Sequence, residues 1–210
     1  VQSWAKAYLK WLKGNMKYDG FRYDMTRGYN GKYLSMYNQA AQPYISVSEF
    51  WEGIGQQVNH LKAAEYNTMI FDFPLKYTLG DAIVKGSYSL LKNPVNSLRG
   101  KGYAKYAVTF IDNHDTFERS DGQFGGYNVD LGTDKVKAQI LQANAYILMM
   151  PGIPCVFWPH WKMYEKEIPI FKGKCFEFCS DILKALNTFV FEYSKSMMNS
   201  DVTLDAQTEI

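Results

Sequence analysis

The chain has 210 residues, 47% hydrophobic and 21% charged, a balance that suits a packed globular protein and excludes disorder throughout. Its 23 basic and 21 acidic side chains leave a net charge of +2 with no basic stripe, so nucleic acid is not expected as a partner. No apolar run reaches the roughly 18 residues of a membrane span, and Cys155, Cys175 and Cys179 are too few for a disulfide framework and lack zinc spacing.

The chain opens on Val1 rather than Met, so a preceding segment is expected. Residues 4–16 place Trp4, Ala7, Tyr8, Trp11 and Leu12 on one helical face. Asp19-Gly20 punctuates the chain, and residues 21–24 read as a short strand ending in a carboxylate. A helix is expected over 32–41, stopped by Pro43, then a β-branched strand over 44–50. Residues 55–65 read as helix, 67–73 as strand and 77–91 as helix. A polar loop over 92–103 leads to a strand at 107–112. A glycine-rich loop spans 116–132, and the helix over 134–149 takes its cap from Thr133-Asp134. Pro151-Gly152 breaks that helix before a last strand at 153–158.

Strand and helix therefore alternate about five times, and the strands are apolar as parallel strands covered on both faces are. The class is α/β. A closed eight-fold barrel takes about 250 residues, so it needs roughly three more units upstream. A doubly wound open sheet fits the count as it stands, and pattern alone does not choose between them.

Polar groups collect where strands end: Arg22 and Asp24 on the first, Glu49 on the second, and Asp112, Asn113, His114 and Asp115 on the fourth. In parallel α/β folds those ends form one face, where active sites lie. A lone strand-end carboxylate is usually a cap or a solvated group. Three of them with an arginine and a histidine suit chemistry that divides labour between carboxyls, as retaining glycoside hydrolysis does. Arg22, two residues before Asp24 on the same strand face, would hold it ionised. Glu49, flanked by Phe50 and Trp51, would be desolvated and held protonated as a general acid requires. Trp51 is a candidate stacking platform for a sugar ring, or equally plain core. His60 and His160 are assigned no role.

Gly20-Phe21-Arg22-Tyr23-Asp24, Ser48-Glu49-Phe50-Trp51 and Phe110-Ile111-Asp112-Asn113-His114-Asp115 resemble, in order and spacing, the second, third and fourth signature regions of the alpha-amylase family, glycoside hydrolase family 13. Trp11-Leu12-Lys13, Phe71-Asp72-Phe73 and Pro151-Gly152-Ile153-Pro154-Cys155 fit the same resemblance, which is nearest to plant-type and some bacterial members. It implies the C-terminal part, about strands 4 to 8, of a (β/α)8 TIM barrel over residues 1–161, with a divergent helical tail at 162–210 that could serve as the last barrel helix. It implies Asp24 as nucleophile, Glu49 as general acid and then base, and Asp115 and His114 as groups binding the reacting sugar, with Arg22 orienting Asp24. Arg27 and Tyr29 stand where the family builds an acceptor subsite; here Arg27-Gly28 replaces the common Lys-His pair.

The implied function is endo-hydrolysis of α-1,4 bonds in starch- or glycogen-type glucans by a secreted or periplasmic enzyme that is a monomer when complete. The alternatives are a maltogenic or transglycosylating relative, and a non-catalytic α-glucan-binding protein or inactive fragment. A metal phosphohydrolase built on His114-Asp115 lacks further ligands and ranks far behind. The family also implies a structural calcium. Calcium takes six to eight oxygens, and this chain offers it the Gly28 carbonyl, so most ligands are expected in an upstream part.

Overall fold

The computed structural model describes residues 1–117 and 134–160. The tail at 162–210, Thr133 of the expected helix cap and the loop residues 118–133 lie outside the described residues. Val1–Phe157 forms one compact unit.

Helix α1 (Gln2–Gly14) leads to β1 (Gly20–Tyr23), then α2 (Lys32–Ala41), β2 (Ile45–Ser48), α3 (Ile54–Ala63), β3 (Met69–Phe71), α4 (Phe73–Ile83) and β4 (Ala107–Thr109). A four-residue helix α5 (His114–Phe117) follows, then α6 (Asp134–Met149) and β5 (Ile153–Pro154). Short 3-10 turns at Thr26–Gly28, Tyr88–Leu91, Arg99–Lys101 and Ala104–Tyr106 fill the connections.

All neighbouring strands are parallel, and the sheet order is β1-β2-β3-β4-β5. That order separates the two architectures the sequence left open. A doubly wound sheet reverses direction at a switch point, so its sequential strands do not run monotonically across it. A chain that steps one strand at a time in one direction describes the arc of a barrel wall.

The boundaries show how local chemistry sets the elements. Gly20 opens β1 rather than punctuating it: a Cβ there would sit 2.4 Å from the carbonyl oxygen of Ile45 on the neighbouring strand. The third strand stops at Phe71, short of the expected 73, and α4 begins four residues earlier than expected. Asp72 causes both. Its Oδ1 accepts the N–H of Leu75 at 3.0 Å, and its Oδ2 accepts that of Leu98 at 2.9 Å. An aspartate cap followed by Pro74 in the first turn starts a helix whatever apolar run surrounds it. Only Ile153–Pro154 of the expected 153–158 pairs as strand, extended by the Cys155 N–H to the Thr109 carbonyl at 2.8 Å.

The core lies between sheet and helices. Leu61, Ile70, Leu98 and Ala107 form a buried cluster, with Phe50, Ile54, Val58, Tyr103 and Tyr106 packed against it. Helix α6 buries Ile140, Ala143 and Ile147, spaced to share one face. The strands do not all bury apolar residues. On β2 it is Ser46 and Ser48 that are buried, while Ile45 is exposed. Their hydroxyls meet Thr68 at 2.8 and 3.0 Å. Asn38 of α2 donates to Ser46 Oγ at 2.8 Å and to the Asn67 carbonyl at 2.5 Å. The Tyr23 hydroxyl donates to Asn38 Oδ1 at 2.9 Å.

Candidate active site

The register of β1 and β2 pairs Tyr23 with Ser48, so Asp24 and Glu49 are the next residues beyond adjacent strand ends. The Glu49 N–H donates to the Tyr23 carbonyl at 2.9 Å, carrying the pairing to the tip. Side chains alternate along strands, so Arg22 and Asp24 share a face. The Arg22 guanidinium spans both acids: Nη1 lies 2.8 Å from Asp24 Oδ1 and Nη2 3.1 Å from Glu49 Oε2.

The two acids have different surroundings. Glu49 is 8% exposed, whereas Asp24 stands in solvent. The Asp24 carboxyl is held below the usual carboxylate range, first by a side-chain hydrogen bond with Glu49 and then by Arg22, with a small contribution from the field of His114.

Two residues that sequence reasoning missed lock Glu49 from below. Met25 adopts a left-handed conformation, φ 47, and its N–H donates to Glu49 Oε2 at 3.1 Å. A non-glycine residue there is uncommon, and such strain gathers at functional sites. Thr26, fully buried, donates both its N–H and its hydroxyl to the Glu49 carbonyl, each at 2.9 Å. No sequence signal announces either contact, because both depend on the turn that follows β1.

At the end of β4, α5 carries His114 and Asp115, with His114 Nε2 3.5 Å from Asp115 Oδ2. Arg27 pairs with Glu52 at 3.5 Å. Arg27, Gly28 and Tyr29 line an open groove of about 490 Å³ with Phe50, Gln56 and Asn59. Burial first, then Tyr37 and Asp24, pushes the Tyr29 hydroxyl up to about 12. Trp51 stacks on Phe73 with centroids 4.6 Å apart, and its indole N–H donates to the Tyr77 hydroxyl at 3.0 Å. Trp51 thus packs on α4 and also lines a cleft of about 260 Å³ with Glu52, Pro74 and Asn96. His60, without an assigned role, is buried and stacks on Phe50 with centroids 4.1 Å apart.

The described residues do not make a calcium cage. Among them no group of three or more His, Cys, Asp or Glu side chains is gathered, and the Gly28 carbonyl is a single oxygen against the six to eight that calcium takes. Among the same residues no helix is long and apolar enough to cross a membrane.

No protein-family model matches the chain. Probable alpha-amylase 2 of Arabidopsis thaliana is 33% identical over 179 residues, covering 77% of this chain and 40% of that protein. A glucan 1,4-alpha-maltotetraohydrolase of Roseateles saccharophilus is 34% identical over 160 residues, 70% of this chain and 27% of its own length. An alpha-amylase structure from Anoxybacillus superposes with a TM-score of 0.56 at 18% identity, covering 76% of this chain and 35% of that one, which speaks for the fold. The chain thus spans well under half the length of these relatives.

Proposed function

Because the chain belongs to the alpha-amylase family, with a parallel strand arc that forms part of a TIM barrel, we propose that it carries the acid pair of a retaining hydrolase of internal α-1,4 bonds in starch-type glucans. The observation that supports this reading is one Arg22 guanidinium reaching both Asp24 and Glu49 at adjacent strand tips.

In the first step the Glu49 carboxyl protonates the glycosidic oxygen. The C1–O bond breaks, the leaving chain departs as an alcohol, and the Asp24 carboxylate bonds to C1 as an ester. In the second step the Glu49 carboxylate takes a proton from water, whose oxygen attacks C1 and releases Asp24. Charge builds on the sugar ring between these states. Asp115 and His114 bind the ring hydroxyls beside the reacting carbon and favour that geometry. Arg22 keeps both carboxyls aimed. Arg27 and Tyr29 line the groove that takes the leaving-chain side, and Trp51 offers an aromatic edge next to it. A structural calcium, where bound, would take the Gly28 carbonyl and draw its other ligands from outside the described residues.

The test is hydrolysis of maltoheptaose followed by proton NMR. The first product should carry the α-anomer, and Asp24→Ala should abolish turnover. Initial β-product, or near-normal turnover by that variant, sinks the reading.

A further inference from the structure

The helix that carries His114 and Asp115 is one turn long, and so short a helix does not hold itself. Side-chain oxygens hold it instead. Asn113 Oδ1 accepts the N–H of Asp115 at 3.1 Å and that of Thr116 at 2.8 Å. Beneath it, Asp112 is buried at 2% exposure; its Oδ1 accepts the Asn113 N–H at 3.0 Å and the Thr116 hydroxyl. Thr116 Oγ1 in turn accepts the Asn113 N–H at 3.1 Å. That hydroxyl has one proton, shared between the Asp112 carboxyl and Asn113 Oδ1, 2.9 Å away. The atom that Asn113 grips is the backbone nitrogen of Asp115 itself, the point from which that carboxylate is launched.

We propose that Asn113, braced by Asp112 through Thr116, is a positioning residue for Asp115: it fixes the backbone so that the carboxylate meets the distorted sugar ring. The inference rests on the reading of Asp115 as a sugar-binding group. A cap that served only the fold would affect stability and leave the chemical step alone. A cap that aims Asp115 acts where charge develops, hence on kcat before KM.

The experiment compares Asn113→Ala and Asn113→Ser in the full chain, with maltoheptaose kinetics, melting temperature and amide exchange at positions 115 and 116. Serine keeps a capping oxygen and alanine does not. Alanine should lower kcat about ten-fold with KM within about two-fold, and speed exchange at both amides, while serine restores most of the rate. Wild-type kcat in the alanine variant, or equal losses in both variants, overturns the proposal. If alanine prevents folding, the serine variant decides: near-native kcat with protected amides supports the proposal, and a ten-fold loss despite protected amides overturns it. A wild-type chain that cleaves no maltoheptaose is a separate result, which removes the functional reading and this inference with it.

Discussion

Arg22 Nη2 lies 3.1 Å from Glu49 Oε2, so the arginine expected to serve Asp24 alone also holds its partner acid. A planar fork can reach two acids at once; an ammonium is a point charge on a flexible stem. Arg22→Lys should therefore separate the pair and lower kcat/KM by about 100-fold. Arg22 is also one of the groups holding the Asp24 carboxyl low. Its removal lets that carboxyl rise, so the acidic limb of the pH–rate profile should move to higher pH. An unmoved limb with full activity would discard the bridging role.

Gly31, the N-cap of α2, abuts the last turn of α3. A Cβ there would lie 2.6 Å from the His60 carbonyl and 2.9 Å from the Ala64 nitrogen, both backbone atoms that cannot swing away. Gly31→Ala should cost about 1–3 kcal/mol. Gly14, at the end of α1, meets nothing within 4 Å, so Gly14→Ala should be neutral or stabilise by up to about 1 kcal/mol. Urea midpoints of the two variants check the contrast; equal midpoints would refute it.

Two buried groups pull the pH dependence of stability in opposite directions. Burial pushes Asp72 up to about 6 from 3.8, against the two N–H donors that lower it. Its contribution is fully present below about pH 3.8 and lost as pH rises through about 6, on the order of 3 kcal/mol at most. Burial pulls His60 down to about 4 from 6.5, so its contribution is present above pH 6.5 and lost as pH falls through about 4. Between pH 4 and 6 the two offset each other. Asp72→Asn leaves His60 alone there, and stability should then rise clearly with pH while the parent stays nearly flat. At low pH the variant should also lose about 1–3 kcal/mol, because an amide offers one acceptor oxygen where Leu75 and Leu98 need two, and that deficit should shrink as pH rises through about 6. Denaturation at a series of pH values measures both effects; parallel curves would show that Asp72 does not titrate in this window.

Helical period with a stop signal placed α2 and α6, because their buried faces repeat at helical spacing and Pro43 and Pro151 end them. It misplaced the start of α4, because Asp72 and Pro74 sit inside an apolar run that reads as strand. The acids at strand tips were legible because parallel sheets gather those tips on one face. The locks on them were not. The grip of Met25 and Thr26 on Glu49 depends on a left-handed turn and on the Tyr23–Ser48 register, and neither is encoded in a window of neighbouring residues. Asn113 before a polar turn did carry a capping signal, masked by the carboxylate reading of the same motif.

The Asn38 amide ties α2 to β1 through Tyr23, to β2 through Ser46 and to the approach of β3 through the Asn67 carbonyl. Exchanging α2 for the equivalent helix of a distant relative would strip three separate elements of their shared anchor. Positions 23, 38 and 46 are therefore a unit of inheritance: a chimera that moves one without the others strands hydrogen-bonding groups in the interior, and one that moves all three together keeps the wall intact.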